Sequence, residues 1–330
     1  MSHENKLKFK KIYCKYPNLT VLGGLFALTI ILFSISLPDK FFSISNFSSM
    51  AFQLPELGLL TLAMAITMLS GGINLSIIAN ANLAGIIMAT LMKTMMGTGT
   101  DISLISLIIA ISAGLLVSSF VGFLNGTIIA YIGVSPILAT LGTMTLLNGL
   151  SILFTKGYVI SGLPEKMVFF GNGSILGIPF PFIIFLVTLI LVGFWLRKTP
   201  SGFSNYLIGS NETATRFSGI NTKKVIMKTY IVSGFLSGLA AVVMISRFNS
   251  ARAGYAESYL LVTVLASVFG GYDPNGGFGK VLGLFLSLFI LQLVSSGLNL
   301  LGVSSYLTIA LWGLILIAVM VLHKFQPKTT

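Results

Sequence analysis

Long apolar runs recur along almost the whole chain, and a run of about 18 or more apolar residues with few charges reads as a membrane-crossing helix. Separated at polar or Gly/Pro breaks, the runs fall at 18–37, 48–70, 75–96, 103–131, 134–154, 179–196, 228–247, 258–270, 280–301 and 304–322. Among 330 residues, 55% are hydrophobic and only 8% charged, far from the charged quarter usual in soluble domains. A soluble globular fold is excluded. The expectation is an all-α, polytopic integral membrane protein with about ten transmembrane helices. It would comprise a basic tail at 1–17, a transmembrane domain at 18–322 and a short tail at 323–330.

Lys and Arg number 20 against 8 acids, a formal charge of +12. In a soluble protein that balance suggests nucleic acid, but in a membrane protein cations gather in cytoplasmic loops. Lys6, Lys8, Lys10, Lys11 and Lys15 precede the first run, and Arg197, Lys198, Arg216, Lys223, Lys224 and Lys228 cluster around one central loop, 198–227. This is a topology signal, and no nucleic-acid partner is expected. Six runs precede the central loop and four follow it, which places both termini, with His323, Lys324 and Lys328, in the cytoplasm. The loops then assigned outside carry Asp39 with Lys40, Lys93 with Asp101, and Lys156, Glu165 and Lys166. The first run is long and lacks an A-x-A-like cleavage site, so it reads as a retained span rather than a signal peptide. Gly157, Gly162, Pro164, Gly171, Gly173, Gly177 and Pro179 favour turns or a short re-entrant piece in the segment before the sixth run.

Catalytic chemistry lacks its parts. Cys14 is alone, His3 and His323 sit at opposite ends, and no run holds a carboxylate pair or a Ser/His/Asp set, so neither a metal site nor an enzyme is expected. The stretch Gly271 to Lys280 is no P-loop, because Gly279-Lys280 is followed by Val281 and Pro274 stands where the first Gly belongs. Glu56, after Pro55, is the acid placed below the interface; it reads as an interfacial or helix-start carboxylate, with a coupling role as the rival. The runs otherwise carry amides and hydroxyls. Asn74, Asn80, Asn82, Asn125, Asn148, Gln292 and Asn299 can either join helices or line a passage for a polar, uncharged solute. Gly71-Gly72 and Gly270-Gly271 close two runs on the same side and are candidate hinge or close-approach glycines. They hint at an internal repeat, although a second echo, Gly133-Val134-Ser135 against Gly302-Val303-Ser304, falls on opposite sides.

The central loop is the most informative segment. Asn211 is an N-cap type, Glu212 stands four residues before Arg216, and Gly219 suits a C′ position. Together they predict a short cytoplasmic helix whose Ala214 and Phe217 form an apolar face left for a partner to cover.

Residues Ile208 to Asn221 resemble the coupling loop of bacterial ABC-importer permeases of the ribose/xylose/arabinose (and autoinducer-type sugar) class. Leu69-Ser70-Gly71-Gly72-Ile73-Asn74-Leu75-Ser76 is similar to that family's Gly-Gly-Ile-Asp-Leu-Ser signature, with Asn74 where the family usually has Asp. Residues 136–144 and 297–304 match two further blocks, and 250–257 fits more loosely, so the resemblance spans roughly 48–322. It implies a permease, without a cofactor of its own, that passes a monosaccharide or sugar-like solute from an extracytoplasmic binding protein to the cytoplasm. A separate ATPase using ATP and Mg would drive it, and a second permease, identical or paralogous, would complete the membrane part. Asn211, Glu212, Ala214, Arg216, Phe217 and Gly219 would then couple to the ATPase, and Arg252 and Glu257 are candidates for binding-protein contact. The rival readings are a secondary carrier or facilitator with Glu56 as its coupling site, and a non-transporting assembly subunit.

Overall fold

The structure, a computed structural model, describes residues 17–97, 99 and 101–325. Fourteen helices follow in order: α1 (Pro17–Ser36), α2 (Pro38–Phe41), α3 (Ile44–Leu69), α4 (Ile77–Met96), α5 (Leu104–Thr127, prolonged by a π turn at Ile128–Ile132), α6 (Pro136–Thr155), α7 (Glu165–Asn172), α8 (Phe180–Lys198), α9 (Pro200–Ser210), α10 (Glu212–Phe217), α11 (Thr222–Phe248), α12 (Tyr259–Phe269), α13 (Val281–Leu300) and α14 (Ser305–Phe325). The strands are two-residue pieces: β1 (Ile160–Ser161), β2 (Ser174–Ile175), β3 (Ile178–Pro179) and β4 (Ser250–Ala251). The fold is all-α and polytopic. Among the described residues, seven helices (α3, α4, α5 with its π turn, α6, α8, α11 and α13) are long and apolar enough to cross a membrane. The expected tails lie mostly on residues 1–16 and 326–330, outside the described residues, and the last helix runs on to Phe325.

Each expected span has a helix, and α3 begins at Ile44 rather than 48; two further differences matter more for the fold. The seventh begins at Thr222 rather than 228, because the Asn221 side chain accepts from Lys224 N at 3.0 Å and caps it there. Lys223, Lys224 and Lys228 therefore ride on α11, with Lys223 over the Tyr131 ring. The eighth, α12, has 11 residues and is about 16 Å long, half the hydrocarbon thickness of ~30 Å. Residues 249–258 approach it as a strap of turns. Ser250 and Ala251 of the strap pair with Ser161 and Ile160, and the Tyr255 carbonyl accepts from Asn82 Nδ2 at 3.1 Å.

α3 is the central element. Leu59, Leu60, Leu62, Met64, Ile66 and Met68 expose no surface, and the spanning window of α3 is 89% buried against 22% for α6. α11, α8, α12 and α13 pack against it, while α5, α6 and α8 turn most of their apolar surface outward. Small residues bring α5 and α11 together. A Cβ at Gly122 would collide with the Tyr230 carbonyl, one at Gly126 with the Met227 backbone, and one at Gly234 with the Ser118 carbonyl. The spacings Gly122-x3-Gly126 and Gly234-x3-Gly238 are the small-residue pattern that lets membrane helices approach backbone to backbone.

The segment before α8 folds as expected from its Gly and Pro, into α7 and a β2–β3 hairpin turned at Leu176 and Gly177, both at positive φ. Lys166 on α7 reaches Asp101 at 2.7 Å, and its hydrogen bond holds the Asp101 carboxyl below the usual carboxylate range. The Gly-Gly echo is also structural, in a shifted register. Gly71 N and Gly72 N donate to Met68 O and Thr67 O at the end of α3, as Gly271 N and Tyr272 N donate to Val268 O and Ser267 O at the end of α12. Gly71 thus corresponds to Gly271, both at positive φ in the same kind of cap.

Replacing Gly234 by Ala should destabilise the fold by about 1–3 kcal/mol through overpacking. Gly142→Ala, at a glycine with open space around it, should be nearly silent. Thermal unfolding of the two variants in detergent checks the difference.

Candidate functional site

The six residues of α10 are capped by Asn211 at the start and by Ser218 and Gly219 at the end. Asn211 Oδ1 accepts from Ala214 N at 2.9 Å, Thr215 Oγ1 donates back to Asn211 O at 2.8 Å, and Gly219 leaves the helix at φ +82. Thr215 is buried against the body of the protein, whereas Glu212, Ala214, Arg216 and Phe217 are exposed, Phe217 to 83%. The helix and its apolar face are as the sequence predicts. The Glu212–Arg216 contact is not: the ion pairs among the described residues are Lys166–Asp101 and Arg247–Glu56. On so short an exposed helix such a pair would contribute little.

Glycines lock the base of this helix to the core. A Cβ at Gly209, two residues before the cap, would collide with Leu69 O and Gly277 N, and one at Gly276 would press on the backbones of Gly209 and Gly71. Gly277 N donates to Leu69 O at 2.9 Å. The end of α3, the end of α9 and the turn between α12 and α13 therefore meet backbone to backbone. Gly71 and Gly271 serve as helix caps here, Gly72 packs under the Tyr230 hydroxyl and Gly270 packs on Leu284.

The amides expected to line a passage divide into two groups. Asn74, Asn125 and Gln292 are committed to helix contacts. Asn74 Nδ2 donates to Ser233 Oγ, Asn74 Oδ1 accepts from Ser76 N and Oγ, Asn125 Nδ2 donates to Ser76 Oγ, and Thr143 Oγ1 donates to Asn125 Oδ1. This buried chain joins α11, the start of α4, α5 and α6. An Asp at 74 would keep both bonds from Ser76, so the family's usual residue fits the same acceptor role. Gln292 Nε2 donates to Gln53 Oε1 at 3.2 Å. In the second group, Asn80 Nδ2 donates to Ser118 O and Asn82 Nδ2 to Tyr255 O while each side chain keeps a buried, unpartnered Oδ1, Asn148 is half-buried on α6 and Asn299 is exposed. A cavity of about 300 Å3 lies elsewhere, between α8, α9 and α11, lined by Trp195, Thr199, Pro200, Lys228 and Val232.

Glu56 is neither interfacial nor at a helix start. It sits in the middle of α3 with no exposed surface, its Oε1 2.8 Å from Arg247 Nη1 and accepting from the Tyr259 hydroxyl at 2.8 Å. Pro55 is internal to the helix, which begins at Ile44. The interior is therefore not uncharged: α3, the end of α11 and the start of α12 meet at a buried ion pair. Arg252 and Glu257 lie just beyond it on the strap, both exposed, with Arg252 stacked on the Tyr255 ring at 4.6 Å.

The family model for the permease component of branched-chain amino acid transport systems matches residues 46–322. The chain belongs to this permease family. It is 35% identical over 303 residues to the ribose import permease protein RbsC of Bacillus subtilis, covering 91% of each chain. Identity is 32% to the autoinducer 2 import system permease protein LsrD of Yersinia enterocolitica, over 94% of this chain and 92% of that one. It is 34% to the RbsC of Haemophilus influenzae, over 85% of each. No solved structure matches. The permease is thus the multi-pass membrane subunit of an ABC importer in the bacterial inner membrane, and not itself an enzyme. ATP and Mg are used by a separate ATPase, and a solute-binding protein and a paired or paralogous permease complete such a system. Membership removes the secondary-carrier reading, and with it the coupling role of Glu56.

Sequence reasoning missed Arg247 and Tyr259. The available signal was pairing: an acid inside one apolar run requires a partner, and Arg247 closes another run. Arg247→Met leaves the Glu56 carboxylate buried and unpaired, which should cost about 3–5 kcal/mol. Removing both charges, in Glu56→Leu with Arg247→Met, should recover most of that loss. Thermal unfolding of wild type, single and double variants completes the cycle; equal losses in single and double would remove the pair from the account.

Proposed function

We propose that this permease imports a monosaccharide or a sugar-like signalling molecule, handed over by an extracytoplasmic binding protein and driven by an ATPase that docks on α10. The observation that carries the reading is the exposed, doubly capped α10 set rigidly on the glycine contact with α3. The solute class rests on relatives whose names specify ribose and autoinducer 2 import. The uncommitted polar atoms of Asn80, Asn82 and Asn148 favour a passage for an uncharged polar solute, whereas Asn74, Asn125 and Gln292 serve as helix joints.

The proposed topology has ten crossings, with α12 and the strap together making one of them, and both termini in the cytoplasm. Its support is the charge distribution and the arrangement of helix ends. Arg197, Lys198, Arg216, Lys223 and Lys224 gather at the α10 end, while α7, the strap, Arg252 and Glu257 share the opposite end, where a binding protein would dock. In a Cys14→Ser background, a cysteine at Lys223 should resist an impermeant thiol reagent applied to intact cells, and one at Glu257 should label. Rapid labelling at 223 would invert the topology.

Phe217→Ala should leave a membrane-inserted protein of normal abundance that loses its ATPase several-fold more readily and no longer supports ATP-dependent uptake. The measurement is binding-protein-dependent uptake into proteoliposomes, screened across pentoses, hexoses, deoxysugars and sugar-like signalling molecules. Normal retention and normal transport by Phe217→Ala would end the assignment of α10 as the coupling helix.

A further inference from the structure

The turn between α12 and α13 presents a second aromatic side chain beside α10. Within Tyr272–Gly279 the backbone closes on itself: Asp273 N donates to Phe278 O at 3.2 Å, and Asp273 Oδ1 accepts from Asn275 N and Nδ2. The turn is also fastened to its surroundings on both sides of Phe278. Gly277 N donates to Leu69 O at 2.9 Å, and a Cβ on Gly277 would press on Ser210, the residue before the α10 cap. On the other side, the Tyr206 hydroxyl of α9 donates to Gly279 O at 3.2 Å, while a Cβ on Gly279 would collide with the Tyr272 ring. Phe278 itself remains 64% exposed. An apolar ring held out by two clamped neighbours loses little freedom on binding, which is the property of a preorganised contact.

We infer that the Asp273–Phe278 turn is a second docking element for the ATPase, with Phe278 filling an apolar pocket on that subunit beside the one that takes Phe217. This rests on the reading of α10 as the coupling helix. The occupant follows from continuity: Gly277 touches Ser210 and Gly276 touches Gly209, so whatever covers α10 extends over the turn. Two separated rings, one on α10 and one on the turn, also fix the orientation of the docked subunit, which a six-residue helix alone would leave free to pivot. Since the turn is bonded to the end of α3 at Leu69, the same contact ties the ATPase to the central helix.

The test uses the full importer complex in native membranes. A p-benzoylphenylalanine side chain in place of Phe278 should, on irradiation, give an adduct with the mass of permease plus ATPase; adducts with lipid alone would overturn the inference and make Phe278 an interfacial anchor. In detergent, Phe278→Ala should lower ATPase retention roughly fivefold while leaving thermal unfolding of the permease unchanged. Phe217→Ala, measured in parallel, separates the two claims. If Phe217→Ala releases the ATPase and Phe278→Ala does not, the second element is wrong and the coupling helix stands. If only Phe278→Ala releases it, the turn stands and the α10 assignment falls. If neither does, both are wrong.

Discussion

Apolar side chains gain nothing by leaving lipid for one another, so helices within a bilayer must be joined by close backbone packing, hydrogen bonds and charge. Each of these has its own place in this permease. Glycines join α5 to α11 and fasten the base of α10 to α3. A chain of amide and hydroxyl groups from Asn74 through Ser76 and Asn125 to Thr143 binds four elements at one end of the bundle. Midway along α3 the Glu56–Arg247 pair, with the Tyr259 hydroxyl, does the same for α3, α11 and α12. Leucines and isoleucines fill the space between these joints, and the joints decide which helix lies beside which.

This division explains which parts of the molecule were legible in the sequence. Spans are written in composition, and the runs at 103–131, 134–154 and 280–301 reappear as α5, α6 and α13 with their ends shifted slightly. The cap residues of α10 are local signals, and Asn211 and Gly219 act as their types predict. Joints between distant segments leave no local trace. Nothing near Gly209 announces that Gly276 and Gly277 will press against it, and nothing in the run around Glu56 indicates that Arg247 will meet it. The depth of Glu56 was misjudged because the start of α3 at Ile44, set by the Ser43 side chain accepting from Asn46 N, lies earlier than the apolar run suggests. The candidate site divides in the same way: α10 was visible as a capped helix, while the use of both amide atoms in Asn74 and Asn125, against one in Asn80 and Asn82, depends on partners supplied by other segments.

α3 connects the two ends. Its last residue, Leu69, receives a bond from the turn beside α10, and its middle carries the buried carboxylate that α11 and α12 share. α12 spans the same interval, from Tyr259 at the ion pair to the Gly270–Gly271 cap next to the turn. Together with α11, which runs from the Asn221 cap beside α10 to Arg247 at the ion pair, these two helices connect the α10 end to the region beneath the strap.

The short length of α12 bears on how the protein is made. A segment of 11 residues lies well below the ~20 that enter a bilayer as an independent helix, and the strap before it exposes backbone that lipid cannot satisfy. During synthesis α12 cannot leave the translocon on its own hydrophobicity; it must wait for α3, α4 and α11, which supply Glu56 for Tyr259 and Asn82 for the Tyr255 carbonyl. Placement of α12 is thus conditional on packing against the longer helices around it, whereas α13 is long and apolar enough to insert by itself. A fault in the joints described above would therefore be felt first at α12, the short helix that depends on its neighbours most.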